Sequence, residues 1–384
     1  MPERLNIAVA ATIASVPEHA GWTWAVMQYV LGFLELGHRV WFVDPIHTST
    51  IRPQGTTLSG SDNAKYFESV IATFEIDRCS TLLLAGGAAE TAGRPLEELT
   101  RAIGEADVLI NVSGALRAPA LLSRARRRVY LDVDPVFTQL WAAEGVDMGL
   151  DGHSHYVTIG WNIGNGSGSI PSADRKWIPT LQPIVLDRWP SGHAIRCDAL
   201  TTVANWRGYG SVSYRGTFFG QKAHSLRQFI AVPRRVSEPF VLALAIDPGE
   251  VNDLLALEAN GWRLIDPVPV SRTPEAYQRF IQGSKAEFGI AKSGYVAARC
   301  GWFSDRSICY LASGRPVLAQ DTGLEGILPT GEGVIAFTTE DDIVAGVDSM
   351  KTGYRRHASA ARAIAEEYFD SRRVLTRLLD EVGR

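Results

Sequence analysis

The sequence predicts an α/β protein made of two doubly wound halves that face a central cleft. Three observations predict this fold class. The 384 residues are enough for two domains at ~100–200 residues per domain. Short apolar runs alternate with helical patterns, as in parallel sheets covered on both faces. The alternation stops over the glycine- and proline-rich residues 151–193 and then restarts, so we interpret that segment as the end of the first half and the linker.

The first 43 residues predict a strand, a helix and a second strand. Residues 5–10 and 39–43 are buried-type apolar runs. Between them, apolar residues from Trp22 to Phe33 recur at helical spacing, and Gly37 follows where a glycine commonly ends a helix. Such a β-α-β unit begins a parallel sheet. Further strands are predicted over 80–85, 106–111 and 128–132, with a helix over 95–105.

The second half repeats the pattern after the linker. Strands are predicted over 200–204, 240–245, 262–265, 286–290 and 316–319, and helices around 224–230 and 248–259. Another helix begins near Ser304, a favourable N-cap, and ends at Gly314. The tail over 354–382 is predicted to be helical, with a break around 369–371. Because open α/β sheets bind ligands at the carboxyl ends of their strands, the cleft between the halves is the expected active site.

Composition and charge exclude several classes of protein. With 42 acidic and 38 basic residues the formal net charge is −4, which argues against nucleic acid as a partner because phosphate neutralisation needs a basic excess. No run approaches the ~20 apolar residues of a membrane span. Residues 1–16 lack the features of a secretory signal, so the expected location is cytoplasmic. The four cysteines form no CxxC pair, so neither a zinc site nor a disulfide framework is indicated.

One segment of the second half carries recognisable motifs. A predicted strand over 286–290 is followed by Cys300-Gly301-Trp302-Phe303-Ser304, by Gly314-Arg315-Pro316-Val317-Leu318 and by Asp321-Thr322-Gly323. This order resembles the nucleotide-sugar segment of glycosyltransferases with two Rossmann-like domains, the GT-B superfamily. The broken helical tail resembles the end of such proteins, where the last helix crosses back to the first domain.

The resemblance implies a domain plan and a reaction. Residues 1–190 would form a Rossmann-like acceptor-binding domain, 191–365 a Rossmann-like nucleotide-sugar-binding domain, and 366–384 a helix packed back on the first domain. The protein would move a sugar of the hexosyl type from a nucleotide-diphosphate sugar to a hydroxyl group of a small molecule or glycan, with no metal or further cofactor. The implied donor-binding residues are Lys222, Glu287, Gly301, Trp302, Ser304, Asp305, Arg306, Ser307, Asp321, Thr322 and Gly323.

Physical chemistry independently favours an anion at the start of the helix predicted to begin near Ser304. The unpaired N–H groups near residues 304–307 point to one spot, where a diphosphate would be stabilised. Arg306 or Lys222 could neutralise the phosphates without a metal ion. The alternatives are that both are solvated surface cations and that Trp302 packs in the core instead of stacking on a base.

The first half offers a candidate base and candidate acceptor contacts. His19 precedes Gly21 and Trp22 on the loop after the first strand, where the inverting branch of the superfamily places its catalytic histidine; the alternative is a hydrogen-bonding loop histidine. Asp134 is expected at the carboxyl end of a strand, where it could orient a histidine or bind acceptor. Gly21, Trp22, His153 and His155 are candidate acceptor contacts, and the two histidines are too few ligands for a metal site.

One departure from the family pattern leaves other functions open. The retaining branch carries two glutamates eight residues apart, and Gly301 and Cys309 stand at those positions here, so retention of configuration cannot be assumed. A nucleotide-sugar epimerase would instead need acid–base groups such as Asp321 and Glu325. A non-catalytic two-domain binder is the third hypothesis. No recognisable pattern encodes the acceptor, the nucleotide and sugar of the donor, the anomeric outcome or the oligomeric state.

Overall fold

The computed structural model describes residues 4–85, 90–164 and 170–383. Within them the chain forms two largely parallel sheets with helices packed on their faces, one sheet in each half. The strands of the first sheet lie between residues 6 and 179 and those of the second between 197 and 337. The predicted domain boundary near residue 190 falls between the two sheets.

In its described part, the first sheet has the order β4-β3-β2-β1-β5-β6-β7-β8, with only the β3–β4 pair antiparallel. Its strands are β1 (Asn6–Ala10), β2 (Arg39–His47), β3 (Ser80–Ala85), β4 (Glu90–Gly93), β5 (Val108–Val112), β6 (Arg127–Asp132), β7 (His155–Thr158) and β8 (Trp177–Pro179). The helices of this half are α1 (Ala20–Glu35), α2 (Asp62–Thr73), α3 (Leu96–Gly104), α4 (Pro119–Leu122), α5 (Phe137–Ala143) and α6 (Trp161–Gly164).

The second sheet has the order β13-β12-β9-β14-β15-β16 and is parallel throughout. Its strands are β9 (Cys197–Asn205), β12 (Phe240–Ala245), β13 (Arg263–Ile265), β14 (Ser284–Gly289), β15 (Val317–Gln320) and β16 (Val334–Phe337), while β10 (Val212–Tyr214) and β11 (Thr217–Phe219) form a separate hairpin. The helices are α7 (Lys222–Leu226), α8 (Val251–Ala259), α9 (Val268–Ser271), α10 (Pro274–Gly283), α11 (Ser293–Ala298), α12 (Asp305–Ala312), α13 (Glu340–Ile364) and α14 (Ser371–Glu381), with a π-helical turn (Ala365–Phe369) before α14.

The strand order explains where a ligand can bind. In the first sheet the order in which successive strands are added reverses between β1 and β5, and in the second sheet it reverses between β9 and β14. A crevice opens at the carboxyl ends of the strands at such a switch point. The central strand β5 is buried along its whole length, as expected for a strand covered by helices on both faces. This architecture confirms the predicted α/β fold of two doubly wound halves.

The interpretation of residues 151–193 as a linker was partly wrong. β7 and β8 lie inside this segment and extend the first sheet by two strands. They are four and three residues long, respectively, too short for a periodic apolar pattern to stand out among the surrounding glycines and prolines. Only the partners in the neighbouring strands identify them.

One large apolar cluster extends across both halves. Helix α1 of the first half packs near α10 and α12 of the second, and buried residues of all three helices belong to the same cluster. Trp24 of α1 donates its indole N–H to the carbonyl of Pro274 at 2.8 Å and packs edge-on against Trp189, with ring centroids 4.9 Å apart. The relative position of the halves is therefore set by buried packing.

The end of the chain returns to the first half, as predicted. After α13 the backbone of Phe369 accepts a hydrogen bond from Ile184 N at 2.7 Å, and Ser371 N donates to Ile184 O at 2.9 Å. Helix α14 then packs along α1, where Gly32 leaves room for it. None of the described helices is both long and apolar enough to span a bilayer. The cytoplasmic location stays a prediction.

Gly32→Ala should destabilise the protein by about 1–3 kcal/mol through overpacking. A Cβ at residue 32 would lie 2.5 Å from Leu375 Cδ1 and 2.9 Å from Ser371 Cβ, so α14 would have to move away from α1. Gly104→Ala is the matched control, because a Cβ there meets nothing within 4 Å. Thermal unfolding measures both, and equal stability of the two variants would contradict the tight α1–α14 contact.

Candidate active site

A cleft of 470 Å³ lies between the two halves at the carboxyl ends of β9 and β12. The first half contributes the loop before α1 and the first turn of that helix. The second half contributes the end of β9, the start of α7 and the start of α12. Several predicted site residues line this cleft together: His19, Gly21, Trp22, Lys222, Trp302, Ser304, Asp305 and Arg306.

Lys222 is the first residue of α7 and is half-buried in the cleft wall. In the described part of the chain its ammonium makes no hydrogen bond and no ion pair. Desolvation, followed by the nearby cations Arg306 and Lys292, lowers the pKa of Lys222 to about 7, against the opposing effects of Asp305 and Glu287. A half-buried cation without a partner is destabilising unless a ligand supplies the negative charge.

The amino end of α12 opens into the same cleft. Ser304 is the N-cap, and its side chain makes no capping hydrogen bond. Asp305 follows as the first helical residue, and burial raises the pKa of its carboxyl group, while Arg306, Lys222 and the N–H groups of residues 305 and 306 lower it. An anion bound at this helix start would therefore share the donors with the Asp305 carboxylate or displace it.

Arg306 is anchored below the cleft by a buried carboxylate. Its Nε donates to Glu287 Oε1 at 2.6 Å, and a terminal nitrogen donates to the Val203 carbonyl at 2.9 Å. Burial lowers the pKa of Arg306, but Glu287, Tyr277 and Asp305 together more than compensate, and the net shift is upward. Glu287 is 0% exposed and does not line the cleft. Glu287 therefore holds Arg306 in place, and its position does not support the expected contact with a donor.

His19 lines the cleft from the first half, whereas Lys222 and Arg306 line it from the second half. It precedes α1 and is exposed at the cleft, where its carbonyl accepts from Thr23 N at 3.1 Å. Partial desolvation by the surrounding protein lowers the pKa of the imidazole, which keeps it neutral near pH 7. Gly21 lets the second half approach, because a Cβ there would lie 3.1 Å from the Tyr277 ring.

Asp321, Thr322 and Gly323, the triplet predicted to contact sugar hydroxyls, lie outside the cleft lining. The predicted donor residues Gly301 and Ser307 lie outside it as well. Thr322 is 0% exposed and donates to the Trp302 carbonyl at 2.6 Å, while the Asp321 carboxylate accepts from Gly323 N at 2.9 Å. Gly301 (φ 73°) donates its N–H to Thr322 O at 2.8 Å, and Ser307 is buried in α12. Gly301 and the triplet build the turn that supports Trp302, and Ser307 packs inside α12, so the geometry does not support direct donor contact by any of them.

Asp134 belongs to a separate cluster between the halves. Its carboxylate pairs with Lys292 Nζ at 2.8 Å and accepts hydrogen bonds from the hydroxyls of Tyr209 and Tyr295. Burial lowers the pKa of Lys292, and Asp134 opposes this shift. No histidine is among these partners, and Asp134 does not line the cleft. The structure therefore gives no support to Asp134 as the residue that orients a catalytic histidine.

His153 and His155 lie away from the cleft as well. His153 contacts Leu150 O and Asn111 Nδ2, each at 3.0 Å. His155 is the first residue of β7, and therefore lies at the amino end of a parallel strand, whereas the carboxyl ends face the cleft. The expected acceptor contacts are thus not supported by their positions. The part of the chain that the structure describes contains no group of three or more side chains suited to hold a metal ion.

Asn205 and Tyr277 are among the cleft residues that sequence reasoning missed. Asn205 ends β9 at the switch point of the second sheet, and the rule that ligands bind at such strand ends could have identified it. Tyr277 lies in α10. No comparable signal exists for Tyr277, because the sequence pattern did not predict that helix.

No protein-family model matches the chain, and no curated protein matches it by sequence. Solved structures do match along its whole length. An alpha-glucosyltransferase in complex with UDP and a 13-mer DNA has 11% identity and a TM-score of 0.60, with 100% of both chains covered. Anabaena HepE in complex with UDP and glucose has 12% identity and a TM-score of 0.59, with 99% of both chains covered.

The first of these neighbours binds DNA. The comparisons therefore do not support the expectation that nucleic acid is not a partner. At such low identity the likeness concerns the fold. Both structures have the two-domain GT-B fold, and the chain matches them over both halves and the returning helix. The chain therefore has the two-domain GT-B fold.

Proposed function

We propose that the protein is a glycosyltransferase that moves a sugar, of the hexosyl type, from a nucleotide-diphosphate sugar to a hydroxyl-bearing acceptor without a metal ion. One observation carries the proposal. The unpartnered Lys222 ammonium lines the same cleft as Arg306 and the amino end of α12, opposite a neutral His19. Structural neighbours that bind UDP and glucose support it.

In this proposal the donor diphosphate binds to the second half. Lys222, whose ammonium has no partner among the described residues, supplies positive charge, and the N–H groups at the start of α12 add hydrogen bonds as the diphosphate shares them with Asp305 or displaces its carboxylate. As the sugar leaves, negative charge grows on the diphosphate, and these preorganised groups stabilise it. Arg306 adds charge from below, while Trp302 offers a ring face for the base or sugar.

The acceptor approaches from the first half. His19 accepts the proton of the acceptor hydroxyl while that oxygen bonds to the anomeric carbon and the bond from this carbon to the diphosphate breaks. A lowered pKa suits this role, because a base must be unprotonated at the working pH. The cleft volume of 470 Å³ lies within the ~300–1,000 Å³ common for small-molecule sites.

The other two hypotheses gain less support. An epimerase would need Asp321 and Glu325 around the sugar, and neither lines the cleft. A non-catalytic binder would use the same phosphate site without turnover, so kinetics separate it from a transferase.

Calorimetry with uridine, thymidine and guanosine diphosphate sugars tests the proposal. We expect at least one donor to bind, and its nucleoside diphosphate to be released when a suitable acceptor from a panel of glycans, small hydroxyl compounds and duplex DNA is added. Absence of binding by every donor would refute the proposal. Binding without turnover across the panel, and with no effect of His19→Gln, would favour the non-catalytic binder.

A further inference from the structure

The loop that carries His19 is tied to the first half at successive residues. We call residues 11–19, between β1 and α1, the His19 loop. Ala11 N donates to Val43 O at 3.1 Å, and the Thr12 carbonyl accepts from Trp22 Nε1 at 2.6 Å. The next two residues of the loop, Ile13 and Ala14, are buried. Backbone groups in such a position need partners, because water cannot reach them.

Asp44 of β2 supplies those partners. Its Oδ2 accepts from Ile13 N at 3.1 Å and from Ala14 N at 2.7 Å. From the other side, Asn63 Nδ2 of α2 donates to Ala14 O at 2.6 Å. Asp44 and Asn63 are both 0% exposed. Two buried polar side chains from different elements thus hold the backbone of one loop residue.

We infer that Asp44 is a positioning residue whose buried carboxylate fixes the His19 loop and thereby holds His19 at the cleft. The placement of the loop stands on the hydrogen bonds alone. The consequence for catalysis rests on the proposed function.

A comparison with Asp132 explains why stability alone does not account for Asp44. Both side chains are 0% exposed in the first sheet. The oxygens of Asp132 accept from Thr138, Gln139 and Thr158 at 2.7–2.8 Å, so both are satisfied. Asp44 Oδ1 is buried with no hydrogen-bond partner, which is destabilising. The side-chain hydrogen bonds of this buried carboxylate go only to the loop backbone. Such a costly group is expected where the position of the loop matters for function.

The surroundings of Asp44 contain little compensating charge. Within the described residues no cation pairs with it, and the nearby titratable group is the Tyr66 phenol of α2, whose pKa the negative charge of Asp44 helps to raise. Desolvation raises the pKa of Asp44 to about 7, and the two loop N–H groups oppose this shift. The bonds from Ile13 and Ala14 are therefore the main stabilisation of its ionised form.

The test uses histidine-ring NMR titration of the full chain, with the His19 signal assigned by its loss in His19→Gln. In Asp44→Ala we expect the His19 pKa to rise toward its ordinary value of 6.5, and the amides of Ile13 and Ala14 to exchange at least tenfold faster with solvent. Asp44→Asn should keep the wild-type titration, because its amide oxygen can still accept both N–H groups.

Leu99→Ala is the control for lost stability, since Leu99 is buried in a different cluster of the first half. It should lower the melting temperature without moving the His19 titration. An unchanged His19 pKa and unchanged amide exchange in folded Asp44→Ala would overturn the inference. If that variant does not fold, rapid exchange of the Ile13 and Ala14 amides in the stable wild-type protein would overturn it equally.

A kinetic measurement then separates this inference from the proposed function. With an active donor–acceptor pair, Asp44→Ala should lower kcat about tenfold or more through a misplaced base, while the donor affinity stays unchanged because the donor binds to the second half. An unchanged kcat would overturn the catalytic consequence. Absence of wild-type turnover would count against the proposed function, whereas the NMR result would still decide the role of Asp44.

Discussion

Lys222→Met should weaken the binding of a nucleoside diphosphate roughly 10–100-fold, which corresponds to the ~1.5–3 kcal/mol of a charge-assisted hydrogen bond. The methionine keeps most of the length of the side chain and removes the charge. Because Lys222 makes no hydrogen bond or ion pair within the described residues and is strongly desolvated, the variant should be at least as stable as the wild type. Loss of binding without loss of stability distinguishes a ligand contact from a structural cation.

Lys351→Met is the matched control for the charge. Lys351 is a 53% exposed lysine whose ammonium contacts Ser237 and Glu238, and it does not line the cleft. Calorimetric titration should give this variant the wild-type affinity. If Lys222→Met bound the nucleotide as tightly as Lys351→Met, Lys222 would have no role in phosphate binding.

The pKa of Lys222 adds a pH dependence to the same measurement. Since this pKa is about 7 in the free protein and bound phosphate raises it, binding should take up a proton and weaken by up to roughly tenfold per pH unit above pH 7. Folding has the opposite dependence. Between pH 7 and the ordinary lysine value of 10.5, the unfolded chain holds more protons at this residue, so its contribution to stability improves as the pH rises.

Arg306→Ala should destabilise the fold by about 3–5 kcal/mol, because it leaves the Glu287 carboxylate buried without its cation. Glu287 Oε2 already has no hydrogen-bond partner, so no other group in the described part of the chain replaces the lost bond. Denaturant unfolding measures the loss. Adding Glu287→Gln should recover part of the stability, because a neutral amide is less costly to bury than an unpaired charge.

Arg207→Ala provides the comparison for an ordinary ion pair. Arg207 is 38% exposed and pairs with Glu250 at the surface, and such pairs contribute about 0–1 kcal/mol. Equal stability of Arg306→Ala and Arg207→Ala would contradict the structural role of the buried pair. Weak donor binding by Arg306→Ala also needs correction for unfolded protein, so Lys222 is the cleaner probe of the phosphate site.

Local signals were sufficient for the framework of the site. The apolar runs of the central strands predicted both sheets, because strands covered on both faces are built mainly from apolar residues. Ser304 and Gly314 predicted the bounds of α12 closely, since caps act on their own helix within a few residues. The expectation that Lys222, Ser304, Asp305 and Arg306 come together also followed from these local elements and from the resemblance to GT-B enzymes.

The direction in which each side chain points could not be predicted this way. Glu287 and Arg306 were both expected to face the donor, but the packing of β14 under α12 buries the first and uses it to anchor the second. Asp134 was expected to orient a histidine or to bind the acceptor, and the approach of the second half instead pairs it with Lys292. Each outcome depends on contacts between residues more than a hundred positions apart or on different layers.

The sequence by itself determined that two doubly wound halves form and that one helix start in the second half can receive an anion, because strand burial and helix capping are local properties. The tertiary structure alone decided which cations remain unpaired in the cleft, which carboxylates are buried behind it and how the His19 loop is held. Those properties arise from desolvation and pairing across packed elements. Local patterns in the sequence do not reveal them.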